Sequence, residues 1–289
     1  MSWRTVVISN RCKLDLSMGY MVIRGEETHR VFLDELSILI IENSAVSLTG
    51  CLLAALTERK IKVIFCDEKR NPCAELIPHH GSHDSTRKIR NQVQWTDSCK
   101  GTVWMEIIAE KIKNQANFLE ELHLYDASLA LNEYATQIQF NDSSNREGHA
   151  AKVYFNAIWG TKFSRGQENP INAALNYGYS ILLSCFNREI AMNGYLTQLG
   201  IHHDNVFNAY NLSSDLMEPF RVIIDKKVVE MSPVDFSTSE KHEMLKIMSK
   251  ELQINSSHQS LQNTIKIYVK SVLNALNDGD LSLISFAEI

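Results

Sequence analysis

Pro78-His79-His80-Gly81-Ser82-His83-Asp84 is where the sequence changes its period. The stretch is polar, holds a proline and a glycine, and has no apolar repeat of its own, so it reads as a connector. Before it, short runs rich in Val, Ile, Phe and Tyr predict strands at 3–9, 20–24, 31–33, 38–41, 61–66 and 74–77. Met18-Gly19 and Arg24-Gly25 are turn-prone breaks between them. Leu52, Leu53 and Leu56 at helical spacing predict one helix across 48–59. After the connector, no proline occurs until Pro170. Val103, Ile107, Ile108, Ile112, Ala116, Leu119 and Leu122 recur every three to four residues and so share one helix face. Asn169-Pro170 has the form of an N-cap followed by proline in the first turn, and the apolar run 171–192 stops at Asn193-Gly194. Further helices are predicted at 240–252 and at 261–276, the latter closing at Asp278-Gly279. The expected fold class is α+β: a β-rich domain at 1–77, a linker at 78–85, and a larger all-α domain at 86–289.

Composition sets the outer limits. The 289 residues are 44% apolar and 22% charged, enough apolar surface to bury a core. The formal charge of −5 means that any nucleic-acid role must come from a local basic surface. Residues 226–289 hold 7 lysines against 8 acids, so they form no basic tail. No apolar stretch approaches the ~18 residues of a membrane span. The start, Met1-Ser2-Trp3-Arg4-Thr5-Val6, lacks the pattern of a secretion signal. Cys12, Cys51, Cys66, Cys73, Cys99 and Cys185 are scattered without a CxxC pair, so reduced thiols in a cytoplasmic protein are expected.

Three segments concentrate ionisable groups able to do chemistry. In Ser144-Asn145-Arg146-Glu147, the Ser-x-x-Glu spacing is that of a capping box, and Glu147 also opens a helix whose apolar face would enter the core. His202-His203-Asp204 reads either as part of a metal site or as a solvated loop. Asp215 and Glu218 stand at i, i+3 and would share a helix face, where a cation or Arg221 can sit between them. Two carboxylates and an imidazole suit Mg²⁺ or Mn²⁺ better than a thiolate zinc cage. Two other readings remain open on the residues alone. One is a helical metal phosphohydrolase built on a His203-Asp204 dyad with His149; the other is a scaffold that binds DNA without chemistry.

The sequence resembles the CRISPR-associated integrase family, the first-numbered Cas protein, in the form found in type II systems. The resemblance rests on residues 143–151 (SSNREGHAA), 169–179 (NPINAALNYGY), 199–203 (LGIHH) and 215–221 (DLMEPFR), in that order. It implies a catalytic helical domain and a dimerising β-rich domain. It also implies Glu147, His203 and Glu218 as both metal ligands and catalytic residues, with Asp215 and His202 behind them. Mg²⁺ or Mn²⁺ is the implied cofactor. The implied reaction joins the 3′-hydroxyl ends of a short spacer duplex to a CRISPR repeat by transesterification, and the same site would cut DNA. The implied assembly is a homodimer, two of which flank a dimer of the small second-numbered Cas protein to form a heterohexamer on double-stranded DNA. A DNA-end-binding accessory protein and an RNA-guided effector nuclease would assist, and no membrane is involved. Arg87, Lys88 and Arg90 after the connector, together with Arg146 and Arg221 beside the ligands, are candidates for phosphate contacts. Tyr177 and Tyr179 read as core tyrosines.

Overall fold

A computed structural model describes residues 4–78 and 81–289. Trp3, where the first strand was predicted to begin, and His79-His80 of the connector lie outside the described residues. The chain divides into two compact units, Met1–His83 and Asp84–Ile289.

Among the described residues, the first unit holds two four-stranded sheets and one α-helix. Strands β1 (Arg4–Ile8), β5 (Leu36–Ile41), β7 (Lys62–Cys66) and β8 (Pro72–Leu76) form one sheet in that order, parallel except for the β7/β8 pair. All six residues of β5, Leu-Ser-Ile-Leu-Ile-Ile, are buried, as a central parallel strand covered on both faces requires. The second sheet runs β4 (Thr28–Phe32), β3 (Tyr20–Arg24), β2 (Lys13–Ser17) and β6 (Ser47–Leu48). Strand β2 was missed in the sequence because Lys13-Leu14-Asp15-Leu16-Ser17 alternates polar and apolar residues instead of forming an apolar run. Met18 (φ 50°) and Gly19 (φ 80°) both take positive φ, which makes the two-residue turn of the β2/β3 hairpin. Helix α1 (Gly50–Glu58) is capped by Thr49 and sinks Leu52 and Leu56 into a core shared with Leu14, Met21, Leu39 and Val63.

The second unit is largely helical. Its longest helices are α3 (Asp97–Glu121), which follows α2 (Ser85–Val93), and α6 (Pro170–Met192), which follows α4 (Tyr125–Thr136) and α5 (Arg146–Trp159). The predicted face of α3 is buried from Val103 to Leu119. Asn169 caps α6 by accepting from Asn172 N at 2.8 Å, with Pro170 in the first turn, and Gly194 beyond its end has φ 84°. Short helices α7 (Asn211–Leu216), α8 (Arg221–Met231) and α9 (Thr238–Leu245) precede α10 (Leu261–Asp278), which closes at Gly279 (φ 68°) as expected.

The helix predicted at 240–252 is shorter. It stops at Leu245, and after a 3-10 turn the chain enters β9 (Glu251–Ile254), which pairs with β10 (Ser257–Ser260) and with β11 (Ala287–Glu288). Leu252 and Ile254 are buried while Glu251 is exposed, so period two rules from there. Asn255 (φ 49°) and Ser256 (φ 61°) supply the tight turn. The helical half therefore carries a small antiparallel sheet that helical periodicity could not announce. Among the described residues, no helix is long and apolar enough to cross a membrane.

Ile40 lies fully buried in the central strand of its sheet. Ile40→Ala removes packing from one buried face of the sheet and should cost about 2–5 kcal/mol in urea denaturation followed by circular dichroism.

Candidate active site

Helix α3 is the spine of the site. Trp104 and Lys111 are seven residues apart, two turns along one face, and Asn114 follows one turn later. All three are buried. Asn114 Nδ2 donates to Pro219 O at 3.2 Å and so pins the chain beside Glu218. Lys111 Nζ donates to Glu147 Oε1 at 2.6 Å and stands 2.5 Å from Glu218 Oε2. Arg221 closes the other side of Glu218, Nη2 to Oε1 at 2.8 Å. Glu147 and Glu218, on separate segments, thus meet at one ammonium. Burial lowers the pKa of Lys111, but the charges of Glu218 and Glu147 outweigh it and hold the pKa above the ordinary lysine value. Burial would raise the Glu218 pKa; Arg221 and Lys111 more than cancel that and hold it low.

The Ser144-x-x-Glu147 capping box does not form. Asn145 is left-handed (φ 52°), and α5 begins at Arg146. Asp142 takes over the helix start, accepting from Arg146 N at 2.8 Å and from Glu147 N at 3.0 Å. Ser144 Oγ is buried without a partner. Relieved of capping, the Glu147 carboxylate points to Lys111 instead.

Asp215 and Glu218 do not share a cation either. Asp215, fully buried, turns to the 200–203 loop. Its Oδ2 accepts from Ile201 N (2.7 Å) and His202 N (3.1 Å), and its Oδ1 from His203 N (3.1 Å) and His203 Nδ1 (2.5 Å). One carboxylate therefore shapes the loop and fixes the His203 ring, leaving Nε2 outward. The Asp215 hydrogen bond raises the His203 pKa, burial opposes it, and the charges of Asp215, Glu218 and Glu147 add to the rise. Gly200 is required here: a Cβ would run into the His203 carbonyl oxygen and stand 2.7 Å from Asp215 Oδ2. His202 stacks on Trp104 with ring centroids 4.3 Å apart, and its Nδ1 lies 3.2 Å from Asn141 Oδ1. The His203-Asp204 dyad fails, because Asp204 is exposed and His203 pairs with Asp215. His149 is exposed and faces Tyr134.

Among the described residues, no group of three or more His, Cys, Asp or Glu side chains stands in metal-holding geometry. The donor chemistry nonetheless suits a hard divalent cation. Glu147 and Glu218 already flank one positive charge, and the charges of both act on His203.

Beneath the site is a group that spacing did not reveal. Asp225, buried, accepts from Tyr179 OH at 2.5 Å and from Tyr154 OH at 3.1 Å. Burial raises its pKa to about 6, against those two hydrogen bonds and the charges of Arg221 and Arg165. Tyr177 and Tyr179 are buried, as expected. Lys111 was also missed. Its one signal was an ionisable residue inside an apolar stripe, between Ile108 and Ile112.

The basic candidates differ in their freedom. Arg221 is committed to Glu218 and lies over the Tyr179 ring at 4.9 Å, so it serves the site from within. Arg146 sits over Tyr134 at 5.3 Å. On α2, Arg87 and Lys88 both pair with Asp84, at 2.7 and 3.0 Å, and Arg90 is exposed.

A family model described as CRISPR associated protein Cas1 matches residues 5–255. The chain belongs to the Cas1 family. Among Cas1 relatives, the CRISPR-associated endonuclease Cas1 of Neisseria meningitidis serogroup C is 31% identical over 295 residues, covering 100% of this chain and 97% of its own. A second, from Francisella tularensis subsp. novicida, is 29% identical over 240 residues, 75% of each. Three solved structures share the fold. A casposase bound to integration product aligns at a TM-score of 0.77 and 15% identity over 96% of this chain and 91% of its own. A CAS1 protein from Thermotoga maritima aligns at 0.73 and 15%, over 94% and 97%. A chain of a Cas6-RT-Cas1–Cas2 complex aligns at 0.74 and 17%, over 97% of this chain and 36% of its own. The expected order, a β-rich part followed by a largely helical one, agrees with the Cas1 fold.

Two outcomes follow from the geometry. Gly200→Ala should lose about 1–3 kcal/mol in denaturant melts, because the clash is with backbone and a buried carboxylate. Because the Asp225 pKa lies above its unfolded value, wild type gives up stability as pH rises from about 4 to about 6. Asp225→Asn should therefore gain on wild type by up to about 3 kcal/mol over that range, read as the difference between thermal melts.

Proposed function

We propose that this chain is a metal-dependent DNA integrase and endonuclease of CRISPR adaptation. The observation that carries the reading is the meeting of Glu147 and Glu218 at one cation, beside a histidine oriented by Asp215. Glu147, His203 and Glu218 would hold Mg²⁺ or Mn²⁺. When bound, the ion supplies Lewis-acid polarisation of a DNA phosphate and favours an ionised 3′-hydroxyl nucleophile.

The chain's own residues do the remaining work. Asp215 takes the Nδ1–H of His203 and so fixes the tautomer that leaves Nε2 as a lone-pair donor. Arg221 balances charge on Glu218 at the carboxylate oxygen that Lys111 does not contact. Asn114 and the Asp215 loop hold both donors on rigid backbone, so positioning precedes DNA arrival. In the joining reaction one phosphodiester forms as another breaks, so no nucleotide hydrolysis is needed. With water as the nucleophile, the same site cuts.

The partners proposed are double-stranded DNA, a second copy of this chain, and a dimer of the small protein Cas2 that two such homodimers flank, giving a heterohexamer. The structural relatives, a casposase bound to integration product and a chain of a Cas6-RT-Cas1–Cas2 complex, support this reading. We assign the dimer contact to the β-rich unit, where β1 is an edge strand. The phosphate contacts are assigned to Arg87, Lys88 and Arg90, with Arg146. Surface pairs such as those with Asp84 contribute at most about 1 kcal/mol each and are readily exchanged for phosphate. A type II accessory protein and effector nuclease belong to the same proposal.

The test is strand transfer in vitro. With Mn²⁺ or Mg²⁺ and Cas2, a short duplex should be joined to a plasmid carrying a repeat. Glu147→Ala or His203→Ala should lower joining by at least about a hundredfold with unchanged circular dichroism. Joining that survives both substitutions, or that ignores chelator, overturns the reading. Asp215→Asn should cost about 10–100-fold in metal affinity, measured by calorimetry.

A further inference from the structure

The two acids of the site already have a cation between them. Lys111 is about 5% exposed and lies in an apolar stripe of α3, yet its ammonium reaches carboxylates on α5 and on the turn after α7. Removing a lysine from water is costly, and a fully buried one persists only where opposite charge offsets that cost. Here Lys111 and Arg221 together match the charges of Glu147 and Glu218, so the four formal charges sum to zero. The two contacted oxygens can lie no farther apart than two short ammonium contacts laid end to end.

We propose that Lys111 is a built-in placeholder cation: its ammonium holds Glu147 and Glu218 together until a divalent ion takes its place, and by competing for them it weakens that ion's binding. The inference rests on the metal-site reading above. An ammonium and a divalent ion cannot occupy one gap between two carboxylates, since their repulsion there is several kcal/mol even at an effective dielectric of about 20. The four-carbon lysine stem allows withdrawal, and the Glu147 side, 28% exposed, is the open side of the gap. Lys111 is thus a positioning residue. Without DNA it keeps the two acids, one buried and one half-buried, ordered and the site weak for metal. With DNA present, phosphate oxygens add ligands and favour the exchange.

The test uses the full chain without DNA. Mn²⁺ affinity is measured by isothermal titration for wild type, Lys111→Met and Lys111→Gln, and melting temperature is followed in chelator and in saturating Mn²⁺. Expected for both variants are Mn²⁺ binding at least about tenfold tighter than wild type, a lower melting temperature in chelator, and a larger gain on adding Mn²⁺. The glutamine variant keeps hydrogen-bonding capacity, so the result does not depend on the methionine variant folding. Unchanged or weaker Mn²⁺ binding in the variants, while Glu147→Ala abolishes it, overturns the placeholder and leaves the metal site standing. Binding that is indifferent to Glu147→Ala overturns both.

Discussion

The ammonium of Lys111 ties together three parts of the chain that lie far apart in sequence. It belongs to α3, the first acid it contacts opens α5, and the second follows α7. Glu218 is drawn out of water and Glu147 half-buried, and both pair with it electrostatically. Had the stripe of α3 been wholly apolar, Glu218 would have chiefly Arg221 against its burial, and Glu147 would be free to turn outward. The segment order of the fold, with α3 passing behind both, places one positive charge where two negative ones converge.

Around that pair, one carboxylate organises the histidine. Asp215 accepts three backbone amides and one imidazole nitrogen. The loop has no regular structure of its own, and this buried acid replaces it. The cation and the anion work on different parts of the site: Lys111 gathers the acids, and Asp215 aims the ring. Asp225 forms a third polar centre below, where two tyrosines share one carboxylate and Arg221 stands between it and Glu218.

Much of this was legible in the residues, and the failures have physical causes. Asn169-Pro170 and Asp278-Gly279 obey local rules of helix ends, so they read correctly without tertiary information. Met18-Gly19 likewise obeys turn rules. Strands β2, β9 and β10 are short and partly exposed, and a search for apolar runs passes over them. Ser144-x-x-Glu147 carried a local signal that the left-handed Asn145 overrode. Lys111 and Asp225 are buried ionisable groups whose roles exist only through contacts distant in sequence, and spacing says nothing of such contacts. The three segments stood out by their ionisable groups, but the choice of Glu147, His203 and Glu218 among them came through family resemblance.

Gly200 shows how architecture can pass for chemistry. It carries no side chain and reacts with nothing, yet the space where a methyl group would go is already filled by its own loop and by Asp215. A saturation survey scored only on function would rank this position beside the reactive ones. Telling the two apart needs a fold readout at every position, and redesign of the loop must begin beyond His203, where the chain returns to solvent.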